Sequence, residues 1–272
     1  MASQTTAVVV SNRRVGSLYY ALEMDCPPVA ETVEPGQFVM LRVSETLSPL
    51  LRRPFSICKS YPATHPSRAK RGHIVILYKK VGKGTEKMTG WMKGQEVDLI
   101  GPLGNGFTLP PYPAPGQVIL IGGGVGIASL YPLAERVKSR EVSILIGGKT
   151  EDDLLWPHNS RRLRRNLQVA TEDGSLGFKG TVLDLFLALR KDPGKGETRY
   201  LYACGPMEML KRLADLTRSE RLIVQASLEA RMGCGFGACW GCVVRTNDPA
   251  TPYHRVCKEG PVFDLKEIIW EG

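Results

Sequence analysis

Four cysteines in the last part of the chain, Cys234, Cys239, Cys242 and Cys257, have types and spacing that suit a metal group. The first three follow Cys-x4-Cys-x2-Cys, and fourteen residues separate the third from the fourth. Thiolates are soft, charged donors, and this spacing matches the plant-type pattern in which four of them hold a [2Fe–2S] cluster. Convergence of three thiolates over so short a stretch makes the backbone curl around the metal. Gly233, Gly235, Gly237 and Gly241 interleave with the cysteines and allow positive φ and close approach of N–H groups to sulfur. Zinc is the first alternative, but a zinc site ordinarily shows two Cys-x2-Cys knuckles and only Cys239/Cys242 makes one. A disulfide is the second, and the lack of a secretory signal weighs against it.

Other patterns suit a nucleotide. Arg53-Pro54-Phe55-Ser56 falls on an expected strand, where a guanidinium can fork a phosphate and Phe55 offers a flat apolar face. Gly82-Lys83-Gly84-Thr85 precedes an expected short helix, Glu86 to Met92, so Gly84 and Thr85 would line a phosphate nest at its start. Each fragment alone reads as an ordinary strand or turn; together in one small barrel they point to a ligand. Further on, Gly122-Gly123-Gly124-Val125-Gly126 joins an apolar strand to a helix, with Ile127 where the dinucleotide fingerprint has its last glycine. Such a turn still lets a pyrophosphate reach a helix N-terminus, the plainer reading being tight helix–strand packing. Glu172 and Asp173 follow a later strand, where they suit a ribose hydroxyl and repel a 2′-phosphate, favouring NAD over NADP, the plainer reading of Glu172 being a solvated side chain. Cys204-Gly205-Pro206 ends the next strand, and Cys204 reads either as a small buried residue or as a wall of a nicotinamide site.

These residues need elements to hold them. Residues 5–101 carry six candidate strands, Thr6 to Val10, Ser17 to Met24, Gln37 to Val43, Pro54 to Lys59, His73 to Lys80 and Glu96 to Ile100, a pattern that predicts a small antiparallel barrel. Tyr61 to Gly72 reads as an exposed hairpin loop. A Pro-rich linker, Leu109 to Gly116, leads into strands Gln117 to Ile121, Glu141 to Gly147, Leu167 to Thr171, Arg199 to Ala203 and Leu222 to Ser227. Helical patterns over Thr181 to Leu189 and Met207 to Arg218 alternate with them, as in a wound parallel sheet. The expected fold is thus α+β multidomain: a six-stranded barrel over residues 1–109, an α/β nucleotide domain over 110–226 and a small cluster segment over 227–272.

The 272 residues are 43% hydrophobic and 23% charged, ordinary for a globular protein, and no apolar run is long enough to span a membrane. A cytoplasmic protein is expected. The net charge of +9 is concentrated in part at Arg68-Ala69-Lys70-Arg71 and Arg161-Arg162-Leu163-Arg164-Arg165. Without interleaved aromatics or a nucleic-acid motif, these read as solvated faces or as contacts to an anionic cofactor or acidic partner, not to nucleic acid.

Taken in order, Arg53-Pro54-Phe55-Ser56, Gly84-Thr85, Gly122 to Gly126 and Cys204-Gly205-Pro206 resemble the motifs of ferredoxin-NADP reductase-like flavoproteins. The segment from Met232 to Cys242, with Tyr253 to Phe263, resembles more specifically the electron-transfer subunits of NAD-dependent, class 1B dihydroorotate dehydrogenase. The resemblance runs over nearly the whole chain. It implies that the barrel binds FAD through Arg53, Pro54, Phe55 and Ser56, through Leu77, Tyr78 and Lys79 on the neighbouring strand, and through Gly84 and Thr85. It implies NAD at the wound sheet and a [2Fe–2S] cluster on Cys234, Cys239, Cys242 and Cys257.

A flavin takes a hydride in one step while a cluster moves single electrons, so the order of modules implies a wire with no acid, base or nucleophile among its side chains. The implied partner is a catalytic subunit with its own flavin that oxidises dihydroorotate in pyrimidine biosynthesis, in a heterotetramer of two plus two. Arg231, Arg245 and Arg255 are candidates to offset the cluster's charge or to meet the partner, and Phe236 and Trp240 either anchor it or exclude water from the cluster. Two rivals remain: a diaphorase subunit of a hydrogenase or of a sulfur or ferredoxin reductase, and a zinc-stabilised interaction module without activity.

Overall fold

The computed structural model describes residues 2–67, 69, 71–111, 116–137, 142–155, 166–190 and 199–270. The run Arg161 to Arg165, residues Arg68 and Lys70, the centre of the Pro-rich linker and Glu141 lie outside the described residues.

The first part is a closed antiparallel barrel of β1 (Ser3–Arg14), β2 (Tyr19–Asp25), β3 (Phe38–Leu41), β4 (Arg53–Tyr61), β5 (His73–Lys79) and β6 (Glu96–Leu103), in the order β1-β2-β5-β4-β3-β6. Alternation drives closure: along β5, Ile74, Ile76 and Tyr78 point inward and are buried, while Leu77 and Lys79 are half-buried on the other face. The inward set meets Leu22, Val39, Leu41 and Leu99 in one core. Two short helices complete this part. α1 (Pro27–Ala30), begun by proline, buries Val29 and Ala30; α2 (Lys83–Met88) buries Met88. The loop from Tyr61 to Gly72 closes the β4–β5 hairpin, with Gly72 N–H donating to Tyr61 O at 2.7 Å.

The second part is a sheet of β7 (Val118–Gly123), β8 (Val142–Gly148), β9 (Leu167–Thr171), β10 (Phe178–Lys179), β11 (Arg199–Cys204) and β12 (Leu222–Ser227), all parallel. Its central strands are continuous apolar runs, as expected where helices cover both faces. α3 (Ile127–Arg136), α4 (Val182–Leu189) and α5 (Met207–Thr217) supply that cover. Thr181 caps α4, accepting from the Asp184 N–H at 3.2 Å while the Asp184 carboxylate accepts from the Thr181 N–H at 3.0 Å.

After Ser227 the chain forms the cysteine loop, a hairpin of β13 (Val243–Arg245) and β14 (Tyr253–Arg255), and β15 (Val262–Asp264), which adds antiparallel to β12 at the sheet edge. One core runs from Leu201 and Val224 in the sheet through Cys242, Val256 and Cys257 to Phe38 and Met40 in the barrel. Among the described residues, no helix is long and apolar enough to cross a membrane.

Candidate functional site

Strand register builds a cleft of about 470 Å³ on the barrel side. Pairing of Leu41 with Arg53, Met40 with Pro54, Val39 with Phe55 and Phe38 with Ser56 fixes the first wall. β5 lends Leu77, Tyr78 and Lys79, and α2 lends Gly84 and Thr85, so all nine residues expected around FAD line one cleft. Tyr78 contributes no free side-chain group: its ring is buried against Tyr20 and Phe55 and its hydroxyl donates to Asn12 at 3.2 Å. α2 begins at Lys83, earlier than expected, because the Thr85 hydroxyl accepts from the N–H groups of Val81 and Gly82 at 2.9 and 3.2 Å and caps the turn. Gly84 therefore lies within the first turn, where an added Cβ would stand 3.2 Å from Arg53 Nε. Arg53, Lys79 and Lys83 line this cleft with Glu229 as the one acid among the described residues, a donor set that fits an anionic dinucleotide.

A second cleft, of about 550 Å³, opens at the C-terminal edge of the sheet. Gly123, Gly124, Glu172 and Pro206 line it. Gly124 has φ +54° and open space where a side chain would stand, leaving its backbone accessible to a ligand. The remaining expected nicotinamide residues lie elsewhere. Gly126 and Cys204 line the barrel-side cleft instead, and Gly122, Asp173 and Gly205 line neither. Packing explains two of these: a Cβ on Gly122 would meet Ile127 at 2.8 Å, and one on Gly205 would meet Met209 at 2.5 Å. Asp173 instead closes its own turn, its carboxylate accepting from Ser175 N at 2.9 Å and Ser175 Oγ at 2.7 Å. Those bonds hold its carboxyl below the usual carboxylate range.

The two clefts share a wall formed by Lys79, Val125 and Glu229. No local pattern marked Glu229, an exposed residue that follows the last parallel strand. Nor did any pattern mark the link across this wall, where the Asp153 carboxylate accepts from the Tyr19 hydroxyl and from Lys79 Nζ at 3.1 Å. Ser129 was missed as well; it sits in the barrel-side cleft between Ser56 and Cys204.

The cysteine loop borders the same cleft through Ala230 and Met232, with Pro261 beside them. Backbone N–H groups approach two of the sulfurs: those of Ala238 and Cys239 donate to Cys234 Sγ at 3.3 and 3.4 Å, and that of Cys257 to Cys242 Sγ at 3.5 Å. Among the described residues no three His, Cys, Asp or Glu groups are gathered tightly enough to hold a metal ion. The surroundings of the thiols nevertheless suit a thiolate-bound cluster. Although partial burial opposes it, the N–H groups of Cys239, Phe236 and Ala238 bring the Cys234 thiol down to about 6. Gly235 and Gly237, at φ +83° and +90°, turn the backbone, and Arg255 fastens it by donating to Gly237 O at 2.7 Å while pairing with Glu259. The Arg255 guanidinium also lies 4.3 Å over the Trp240 ring. Cys242 and Cys257 are buried, Cys239 is exposed, and Phe236 and Trp240 are each 53% exposed.

A barrel joined to a wound sheet, with a cysteine segment against both, is the architecture of ferredoxin reductase-like electron-transfer flavoproteins. Residues 229–269 match the iron-sulfur cluster binding domain of dihydroorotate dehydrogenase B. The dihydroorotate dehydrogenase B (NAD(+)) electron transfer subunit of Geobacillus thermodenitrificans is 39% identical over 99% of this chain and all of its own length. That of Desulforamulus reducens is 36% identical over the full length of both. The solved NADH-dependent reduced ferredoxin-NADP oxidoreductase of flavin-based electron bifurcation has a TM-score of 0.81 at 28% identity, covering 99% of this chain and 92% of that one. Phthalate dioxygenase reductase, 14% identical with a TM-score of 0.61 over 90% of this chain and 87% of that one, shares the fold. The chain belongs to the family of dihydroorotate dehydrogenase B electron transfer subunits. It is an electron-transfer subunit of an NAD-linked oxidoreductase that uses FAD, a [2Fe–2S] cluster and NAD.

Proposed function

We propose that the chain carries electrons from a dihydroorotate-oxidising catalytic subunit to NAD+, with residues 1–109 holding FAD, residues 110–226 receiving NAD and residues 227–272 holding the cluster. One observation supports this most: the barrel-side cleft is walled at once by β4 and β5, by α3 and β11 of the sheet, and by Leu228 to Met232 of the cysteine segment. FAD, when bound, converts between a hydride and single electrons. Arg53 and Lys83 would hold its phosphates, Phe55 and Leu77 would flank its rings, and Cys234, Cys239, Cys242 and Cys257 would ligate the cluster. Gly124 would admit the phosphates of NAD, and Glu172 its ribose. Lys79, Val125 and Glu229, common to both clefts, mark where the two ring systems would approach each other.

The half-exposed Phe236 and Trp240 are our proposed anchors for the catalytic subunit, which carries its own flavin in an assembly of two plus two. Cytoplasmic residence is part of the same proposal: Cys26, Cys58 and Cys204, the three cysteines outside the cluster set, are buried thiols, as a reducing compartment keeps them. The test is anaerobic NADH titration of the protein reconstituted with FAD, iron and sulfide, followed by visible absorption. Flavin and cluster bands that both bleach support the wire. A bleached flavin beside a cluster that stays oxidised would sink it.

A further inference from the structure

Ser129 lies in the first turn of α3, 1% exposed, where that helix packs between barrel and sheet. Its hydroxyl donates to Ser56 Oγ at 2.9 Å and accepts from Cys204 Sγ at 3.6 Å. The three residues come from β4, α3 and β11, and all three line the barrel-side cleft. Cys204 is the buried end of the chain of bonds, with Ser227 as its second hydroxyl neighbour. Burial, reinforced by the charge of Glu229, pushes its thiol up to about 12, so it keeps a hydrogen to donate.

A hydroxyl has one hydrogen and two acceptor lone pairs. Ser129 spends its hydrogen on Ser56, so the Ser56 oxygen is already an acceptor. Among the described residues no protein acceptor is recorded for the hydrogen of Ser56, and the cleft is the side left for it. A hydrogen bond donated to a flavin ring favours the electron-richer, reduced form and raises its potential. The orientation of Ser56 is therefore a property of Ser129.

We propose that Ser129 is a positioning residue for electron transfer: through the relay Cys204–Ser129–Ser56 it orients the Ser56 hydroxyl as a donor to the flavin ring in the cleft. This rests on the flavin reading of that cleft. Ser129→Ala is small and leaves the helix intact, so the protein should keep its FAD and its thermal midpoint. Its flavin potential should move negative, and flavin reduction by NADH should slow by about threefold to tenfold, the span of one hydrogen bond.

The experiment is a double-mutant cycle of Ser129→Ala and Ser56→Ala in the FAD-loaded protein, read as flavin midpoint potential by dye equilibration. A negative shift in Ser129→Ala that disappears when Ser56 is already alanine supports the relay. A flavin-loaded Ser129→Ala with an unchanged potential overturns it, as does a shift of equal size in the Ser56→Ala background. A wild-type protein that takes up no FAD overturns the flavin reading itself, and the relay with it.

Discussion

The barrel-side cleft and the cysteine loop both position a redox group, and they do so by different means. The cleft stands on paired strands: Arg53 to Ser56 are placed by four successive antiparallel pairings with β3. The loop from Met232 to Cys242 contains no helix or strand. It is held by N–H groups of Ala238 and Cys239 at 3.3 and 3.4 Å from Cys234 Sγ, by two positive-φ glycines, and by one arginine. A site set by strand register draws its order from the sheet itself. A site set by thiols and turns shares its folding free energy with the metal group it binds.

The largest effect should separate the two regions completely. Cys257→Ser removes a buried cysteine from outside the loop, our proposed fourth ligand, so iron and sulfide per chain should fall from about two each to near zero. FAD should stay bound in full and remain reducible by NADH. Joint loss of flavin and iron would show that the cleft is not independent of the loop. A smaller but still large effect is expected of Gly235→Ala. Its φ of +83° costs an L-residue roughly 1–3 kcal/mol, and the new Cβ would sit 2.4 Å from Met40 Cγ, on a barrel strand. Cluster content should drop by more than half, measured as iron per chain, with a lowered thermal midpoint because Met40 is fully buried. An unchanged cluster content would mean that the loop is held more firmly by other contacts than by this turn.

The same contrast explains what could be read from the sequence. All six barrel strands and five parallel strands carry period-two or continuous apolar patterns several residues long, and these were legible. The cysteine spacing was legible because a metal imposes it locally. β10, β13, β14 and β15 were not, since two or three residues are too few to show a period and their pairing is tertiary. The glycine run was legible as a strand-to-helix turn, but the division of labour within it was not: Gly124 faces a cleft while Gly122 yields to Ile127, a distinction set by packing. Contacts between distant residues left no trace at all. Tyr19 and Asp153 lie 134 positions apart, and nothing near either announces the other.

That contact provides the smallest and most discriminating test, because it lines the second cleft and grips Lys79, a residue of the wall shared by both clefts. The Asp153 carboxylate accepts from Tyr19, from Lys79 and, at 3.2 Å, from Lys149 N–H, tying β2 and β5 of the barrel to the loop after β8. Burial alone would raise its pKa, but the bonds from Tyr19 and Lys79 outweigh that and hold it below its ordinary value. A depressed carboxyl stabilises the folded state above the ordinary pKa of 3.8 and loses that contribution as the pH falls through the lower folded value. Asp153→Asn keeps an oxygen for Tyr19 but removes the charge facing Lys79, whose side chain is 35% exposed and screened by water. The cost at neutral pH should be under about 1 kcal/mol, a fall in thermal midpoint of roughly 1–3 °C. The difference from wild type should shrink as the pH is lowered from 7 through the carboxylate range, because the wild type then loses the same charge. A difference that stays constant with pH would assign the latch to shape rather than charge, and the shared wall would then be held, like the cleft beside it, by packing and hydrogen bonds alone.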